Sequence, residues 1–300
     1  MGQWQGVLPA VTTSFAADGA LDTAACERHF GWLVAQGCDG LIVSGSLGEG
    51  STLSPDEKLK LVEVARAVAG GRPVIMTVAE SATGRAMDLV QRAEAAKADG
   101  VMVLPPMMYH ASPAETLAWF RQIAGATGLP VMVYNNPVSY KIDVTVPMLE
   151  ALAELPNVAA VKESSDDVRR VIQIRNALGD RLGIFAGVDN LALESCLVGA
   201  DGWVAGLVDA FPAETVAIWK LAKAGRVAEA LAIYRWFAPL LDLDVSPRLV
   251  QNIKLAEAMV GVATETVRPP RQPLEGDERA RVEAVIRKAL DCRPALPPLD

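Results

Sequence analysis

Short apolar runs alternate with longer amphipathic stretches over most of the chain, and this alternation limits the fold more than any other feature. The runs are rich in Val, Ile and Leu and lack polar alternation, which is typical of parallel strands covered on both faces. They occupy residues 7–12, 40–43, 73–78, 100–104, 130–134, 158–162, 182–186 and 202–205. The stretches between them predict helices; at residues 55–68, for example, Ser54 can cap the helix and Pro55 can begin it.

Eight strand–helix units fit residues 1–224, which indicates the α/β class. That count favours a closed (β/α)8 TIM barrel over an open, doubly wound sheet. Three further helical patterns follow at residues 227–241, 247–260 and 277–290, and no polar linker precedes them. We therefore expect residues 225–300 to form a C-terminal three-helix extension packed on the barrel rather than a separate domain.

The composition and charge argue against some classes of binding partner and indicate the cellular compartment. The formal net charge is −8, and no run of basic residues would serve the phosphate backbone of a nucleic acid. No window of about eighteen apolar residues could span a membrane, and the N-terminus lacks the pattern of a signal peptide. The cysteines show no metal-type spacing, so we expect buried, reduced thiols in a cytoplasmic protein. They are Cys26, Cys38, Cys196 and Cys292.

Two side chains at the ends of neighbouring runs suggest covalent chemistry. The fifth run ends in Tyr134 and the sixth in Lys162, and barrel enzymes place their active sites at the carboxyl ends of the strands. Because adjacent strands lie about 4.8 Å apart, the two side chains would be close enough to meet. Apolar surroundings disfavour the ammonium form of a lysine, and the neutral amine can attack a ketone to form an iminium. The alternative is a structural lysine whose head group reaches solvent.

A glycine-rich loop, Gly45-Ser46-Leu47-Gly48-Glu49-Gly50, follows the second run. Its backbone N–H groups could hold an anion such as a carboxylate. A plain tight turn is the other interpretation, since the order of residues matches neither of the glycine-rich nucleotide-binding motifs.

Together these positions resemble the dihydrodipicolinate synthase / N-acetylneuraminate lyase family of class I aldolases. The resemblance extends from the region of Gly6 to the C-terminal helices, and the motifs occur in the family's order and spacing. They are Gly45-Ser46-x-Gly48-Glu49, Tyr134-Asn135-x-Pro137 and Val161-Lys162-Glu163, with Gly187 after the seventh run and Gly206 after the eighth.

The resemblance implies a Schiff-base-forming lyase that acts on a small 2-oxo acid. Lys162 would condense with the keto carbon, and Tyr134 would relay protons. Ser46, with the N–H groups of Ser46 and Leu47, would hold the substrate carboxylate. Gly187 and the backbone carbonyl near Val204 would line the rest of the pocket. No metal or organic cofactor would be needed, and the dimer of dimers usual in the family implies a homotetramer.

Three departures from the synthase pattern bear on the substrate. Leu47 stands where the synthase has a second hydroxyl residue, and Ser139 stands where it has a carboxylate-binding arginine. Met108 falls where a neighbouring subunit contributes a tyrosine, although the adjacent Tyr109 could take that role. Serine cannot replace a bidentate guanidinium. We therefore expect a 2-oxo acid lyase other than the true synthase.

The alternatives differ in the bond cleaved and in the class of protein. Subfamilies acting on other 2-oxo acids include sugar-acid dehydratases and aldolases, aromatic hydratase-aldolases and the deaminase of hydroxyproline breakdown, so cleavage of C–C, C–O or C–N bonds is left open. The main alternative is a synthase that condenses pyruvate with aspartate semialdehyde. The alternative of another class is a non-catalytic barrel that binds a small acid, which the lysine–tyrosine pair disfavours because binding requires neither.

Overall fold

Eight parallel strands form one closed sheet in the computed structural model, which describes residues 4–299. The strands β2 to β8 pair consecutively, β8 pairs with β1, and a bridge between Ala10 and Ile42 joins β1 to β2. The prediction of a (β/α)8 barrel is therefore confirmed. The strands are β1 Gly6–Pro9, β2 Leu41–Val43, β3 Val74–Val78, β4 Gly100–Val103, β5 Val131–Asn135, β6 Val158–Glu163, β7 Gly183–Ala186 and β8 Gly202–Ala205.

The predicted runs and the observed strands differ mainly at their carboxyl ends. β1 ends at Pro9 rather than at residue 12. The N–H groups of residues 10 and 11 still bond to Ala205 and Ile42, but the N–H of residue 12 bonds to the Asp209 carboxylate. β5 and β6 each extend one residue further than predicted, because Asn135 pairs with Glu163 beyond the pair formed by Tyr134 and Lys162. The two candidate catalytic residues therefore lie on regular strand backbone.

Twelve α-helices lie among the described residues. The predicted start of α2 is confirmed, because the Ser54 hydroxyl accepts from the N–H of Glu57 while the Glu57 carboxylate accepts from the N–H of Ser54. The four-residue helix α5 was not predicted. The helices are α1 Thr23–Ala35, α2 Pro55–Val68, α3 Thr83–Ala95, α4 Pro113–Gly125, α5 Pro137–Tyr140, α6 Val146–Ala153, α7 Arg169–Leu178, α8 Ala192–Leu197, α9 Pro212–Lys223, α10 Val227–Leu241, α11 Leu249–Val260 and α12 Gly276–Asp291.

Two apolar layers stabilise the barrel. The outer layer lies between the strands and the helices, as expected for strands covered on both faces. The inner layer fills the barrel and includes Tyr134, so the upper end of the core forms the floor of the candidate site. Its buried members are Trp4, Leu8, Ala10, Ile42, Ile75, Met102, Leu104, Met132, Tyr134, Ala160, Phe185 and Val204.

A buried ion pair connects the C-terminal helices to the barrel. Lys254 of α11 lies 2.6 Å from Glu49 in the loop after β2, and the two side chains are 1% and 0% exposed. Lys254 also donates to the backbone oxygens of Thr13 and Thr266. Helix α10 packs against α9, and α12 packs against α10 and α11. On these contacts we propose that residues 225–299 are an extension that folds together with the barrel; residue 300 lies outside the described residues.

Three of the four cysteines are buried free thiols, as predicted, but the prediction was wrong for Cys292, which is exposed. Cys292 follows the last turn of α12, at the edge of the fold. No helix within residues 4–299 is long and apolar enough to cross a membrane. In the same part of the chain, no group of three or more His, Cys, Asp or Glu side chains is placed to hold a metal ion.

Candidate active site

Lys162 lies at the carboxyl end of β6, inside the mouth of the barrel. It is 7% exposed, and it forms no ion pair with any described residue. Burial lowers the pKa of Lys162, while nearby acidic groups, including Asp244 and Asp189, oppose this shift when they are ionised. Since desolvation disfavours the ammonium form, the neutral, nucleophilic amine is more accessible here than on a surface lysine.

Tyr134 faces the lysine from the end of the neighbouring strand, β5. The two residues are direct cross-strand partners, and Nζ of Lys162 lies 4.3 Å from the centroid of the Tyr134 ring. The Tyr134 hydroxyl accepts a hydrogen bond of 3.2 Å from Nδ2 of Asn136. Burial raises the pKa of Tyr134, so the phenol keeps its proton at neutral pH. A protonated phenol at this position can exchange its proton with an intermediate bound to the lysine.

A second tyrosine joins this pair, and the sequence analysis did not assign it a role. Tyr140 is the last residue of α5, and its ring meets the Tyr134 ring edge to face, with centroids 5.6 Å apart. Its hydroxyl lies 2.7 Å from Oγ of Ser46. Burial raises the pKa of Tyr140. A proline three residues earlier, Pro137, begins the helix; this signal could have indicated that Tyr140 turns back over the strand end.

The loop after β2 presents a hydroxyl and two available N–H groups. The N–H groups of Ser46 and Leu47 make no hydrogen bond within residues 4–299. The Leu47 side chain packs in the outer apolar layer, so only its backbone can serve a polar ligand. Ser44 and Glu49 have left-handed backbone conformations, with φ of 60° and 54°. Such strain is frequent at functional sites, and the available N–H groups make the loop suitable for a carboxylate.

Gly187 follows β7 and leaves room for the lysine. A Cβ atom at this position would lie 2.8 Å from both Cε and Cγ of Lys162 and 2.1 Å from Oγ of Ser164. Any larger residue would therefore displace the lysine side chain. The Val204 side chain belongs to the inner layer of the barrel, which forms the floor of the candidate site.

The three further pocket positions predicted from the sequence are exposed. Met108 and Tyr109, in the loop after β4, are 77% and 56% exposed. Ser139 is also exposed, and its N–H donates to Oδ1 of Asn136. Within a single chain Met108 and Tyr109 face solvent, so a role for either depends on a neighbouring subunit.

A buried amide and a buried carboxylate hold the ends of β5 and β6 together. Nδ2 of Asn135 donates to Glu163 over 3.0 Å and to Asp143 over 3.1 Å. Oδ1 of Asn135 accepts from the N–H of Val144, and Glu163 accepts from the N–H of Ser165. These bonds fix the connection that follows α5 against the strands that carry Tyr134 and Lys162.

A carboxyl group from the C-terminal extension also approaches the mouth, and no sequence pattern indicated it. Asp244 lies between α10 and α11, and its carboxyl group, when ionised, raises the pKa of both Lys162 and Tyr134. The course of this connection depends on how the extension packs, so local periodicity could not place the side chain.

A (β/α)8 barrel with a buried lysine beside a tyrosine at its mouth is an arrangement suited to enzymes that form Schiff bases with carbonyl substrates. The family model described as "Dihydrodipicolinate synthetase family" matches residues 3–289. The chain belongs to this family, as the sequence resemblance had indicated.

Individual relatives cover almost the whole chain. The 4-hydroxy-tetrahydrodipicolinate synthase of Acidiphilium cryptum is 33% identical over 289 residues, which are 94% of this chain and 97% of that protein. The crystal structure of dihydrodipicolinate synthase from Aquifex aeolicus superposes with a TM-score of 0.90 at 27% identity, covering 95% of this chain and 98% of that one. The chloride-inhibited synthase from Acinetobacter baumannii, complexed with pyruvate, superposes with a TM-score of 0.91 at 26% identity, with coverage of 95% and 98%.

Proposed function

We propose that this protein is a Schiff-base-forming lyase that acts on a small 2-oxo acid through an iminium on Lys162. The observation that carries the proposal is the position of Lys162, buried and without an ion pair, with Nζ 4.3 Å from the centroid of the Tyr134 ring. A structural lysine would normally reach solvent or bind a carboxylate. Lys162 does neither, and its surroundings favour the neutral amine.

The proposed reaction begins with attack of Nζ on the keto carbon, C2. The carbinolamine then loses water to give the iminium, and Tyr134 supplies and removes the protons that these two steps require. The iminium withdraws electrons from C3, which permits loss of a proton or cleavage of a bond to carbon at that position. The electron sink is therefore formed from the lysine and the substrate themselves.

Ser46 and Tyr140 complete the proposed site. The available N–H groups of Ser46 and Leu47 would hold the C1 carboxylate. The hydrogen bond between Ser46 and Tyr140, together with the contact between the two tyrosine rings, provides a route for protons between Tyr134 and the mouth. The groups proposed to hold the carboxylate and to carry protons therefore all come from a single chain.

The synthase reaction is the second candidate, because relatives at 32–33% identity carry that name. Ser139 is exposed and offers a hydroxyl where a second carboxylate would require a guanidinium. Leu47 offers no hydroxyl to the loop. We therefore favour a lyase with another 2-oxo acid substrate. Turnover of pyruvate with aspartate semialdehyde, at a rate above that for every other 2-oxo acid tested, would reverse this preference.

Borohydride trapping with pyruvate tests the mechanism. The protein is incubated with pyruvate and borohydride, and the intact mass and peptide masses are read for the wild type, Lys162→Ala and Lys141→Ala. Lys141 is an exposed lysine near the mouth and serves as the matched control. We expect a reduced adduct on the Lys162 peptide in the wild type and in Lys141→Ala alone. Absence of an adduct with pyruvate and with a panel of 2-oxo acids would favour the non-catalytic binding protein.

We further propose a cytoplasmic homotetramer, because the family resemblance implies the tetramer and the use of cysteine indicates a reducing compartment. The chain has a mass of 31.8 kDa, so sedimentation velocity distinguishes a particle of four chains from a monomer. A monomeric particle at micromolar concentration would contradict the proposal.

A further inference from the structure

Asp244 reaches the barrel mouth from the connection between α10 and α11. A Cβ atom on Gly206 would lie 2.3 Å from Oδ1 of Asp244, so the carboxyl group rests directly on the backbone just after β8. Only glycine permits this approach.

Lys162 occupies the corresponding place over the neighbouring strand. Its side chain lies against Gly187, just after β7, and β7 pairs with β8 in parallel, with Ala186 opposite Trp203. The amine and the carboxyl group therefore lie over adjacent strand ends, each in space that a glycine leaves open. Each group opposes the effect of burial on the pKa of the other, although they form no ion pair.

The Asp244 carboxyl group is also without a hydrogen-bond donor among residues 4–299. The neighbouring Asp189 differs, because it accepts from Nε1 of Trp203 and from the N–H groups of Gly206 and Leu207. Asp189 therefore has a structural role at the end of β8. Asp244 is left available to a bound molecule.

We propose that Asp244 donates a proton to the group that leaves C4 of a 2-oxo acid bound to Lys162, so that the substrate class carries a hydroxyl or amino group at C4. This inference rests on the function proposed above. It assigns a catalytic residue and narrows the reaction to elimination.

The elimination balances without any further reactant. Tyr134, which has given its proton to the water lost when the iminium formed, takes a proton from C3, and the Lys162 iminium becomes an enamine. The nitrogen lone pair then re-forms the C=N bond, a C3=C4 double bond forms, and the C4–O bond breaks. The leaving oxygen takes the Asp244 proton and departs as water, which leaves Asp244 as a carboxylate. An amino group would depart as ammonia by the same movement of electrons.

Burial raises the pKa of Asp244, which favours the acid form that the step requires. The charged or titratable groups that act on it or on which it acts are Asp189, Lys162, Tyr134 and Asp209. The carboxyl groups among them favour the protonated form further, whereas the lysine opposes it when charged.

Two reactions of the same site separate this role from the formation of the iminium. Exchange of the C3 hydrogens of 2-oxopentanoate with deuterated water requires the iminium and the enamine but no leaving group. Conversion of 4-hydroxy-2-oxopentanoate, or of its 4-amino analogue, to the unsaturated acid requires the leaving group as well. Both reactions are followed by mass spectrometry for the wild type, Asp244→Asn and Asp242→Asn. Asp242 is an exposed aspartate in the same connection and serves as the control.

We expect Asp244→Asn to exchange C3 hydrogens as the wild type does and to lose about 100-fold or more in elimination. Any decline of the wild-type elimination rate that follows loss of the Asp244 proton as the pH rises should disappear in this variant. The inference would be overturned if Asp244→Asn lost as much exchange as elimination, or if its elimination rate were unchanged. It would also be overturned if the wild type exchanged C3 hydrogens but eliminated neither the hydroxyl nor the amino group from C4. Failure of exchange in the wild type would instead overturn the proposed Schiff-base function.

Discussion

Tyr134 and Tyr140 place two phenols over the proposed reaction centre, and their partners differ. Tyr134 contacts Lys162 directly and accepts a hydrogen bond from Asn136. Tyr140 bonds instead to Ser46, at the loop that we propose as the carboxylate site. Removing one oxygen at a time therefore tests separate parts of the proposed proton route.

Tyr134→Phe should lower kcat by about 100-fold or more, because general acid–base catalysis by a positioned group contributes about 10²–10⁴-fold. Tyr140→Phe should lower kcat by only about 10-fold, the value of one hydrogen bond. Binding of pyruvate, measured by calorimetry, should change little in either variant. Wild-type turnover in Tyr134→Phe would exclude the relay role.

Gly187→Ala should abolish most of the activity while leaving the protein folded. The added Cβ would overlap Lys162, and displacing a reacting group by about 1 Å can lower the rate about 100-fold. The overpacking itself should cost about 1–3 kcal/mol of stability. Steady-state kinetics and denaturant unfolding measure the two effects.

The control for this variant is Gly84→Ala. Gly84 lies in the first turn of α3, where an added Cβ would meet no atom within 4 Å. We expect wild-type kinetics for Gly84→Ala. Equal activity in Gly187→Ala would show that the lysine does not need the position seen here.

The strands and the longer helices could be predicted from the sequence, because their positions depend on local periodicity. The strand runs placed Tyr134 and Lys162 at neighbouring strand ends, and the alternation of runs and helices placed those ends at one mouth. The four residues of α5 are too few to show helical periodicity, so the position of Tyr140 was not foreseen. Asp244 depends on how the extension packs, and no local pattern carries that information.

The loop after β2 and helix α11 depend on each other through the Glu49–Lys254 pair. Lys254→Met should destabilise the protein by about 3–5 kcal/mol, because it leaves the Glu49 charge buried without its main partner. The change should also weaken pyruvate binding, since Glu49 ends the loop that presents Ser46. Denaturant unfolding and calorimetry measure the two effects.

Lys60→Met is the matched control, because the Lys60–Glu63 pair is exposed on both sides. Such pairs contribute about 0–1 kcal/mol. The double variant Lys254→Met with Glu49→Gln should recover part of the lost stability by removing the buried charge that has lost Lys254, its nearest partner. Equal stability of Lys254→Met and Lys60→Met would show that the buried pair does not stabilise the fold.

For the whole molecule, the number of strand–helix units was sufficient to predict a closed barrel, because eight units with uninterrupted apolar strands have one common arrangement. The sequence could not indicate that several carboxyl groups become buried where the barrel meets the extension. Burial raises the pKa of each of four of them above its ordinary value: Asp189, Asp209, Asp244 and Glu257. Their spatial grouping gives the folded chain a pH dependence that composition alone does not predict.

Glu257 makes this dependence testable. Its Oε1 accepts from the Thr12 hydroxyl, while its Oε2 is buried without a partner among the described residues. Burial raises the pKa of Glu257 from 4.5 to about 8. Between these values the folded chain holds a proton that the unfolded chain has released, so raising the pH favours unfolding. The stability contributed by this group is complete below pH 4.5 and is lost as the pH rises through about 8.

The free energy of unfolding should therefore fall between pH 6.5 and pH 9 in the wild type, and Glu257→Gln should reduce that fall. Glutamine imitates the protonated carboxyl group and keeps an acceptor for Thr12. Denaturant unfolding at several pH values measures the slope, and Glu63→Gln, at an exposed position, is the control that should keep the wild-type slope. His29, whose pKa burial lowers from 6.5 to about 4, still titrates in the unfolded chain near pH 6.5, but it does so equally in the wild type and in Glu257→Gln, so the difference between their slopes is unaffected. Identical slopes in Glu257→Gln and the wild type would show that Glu257 is already ionised in the folded protein.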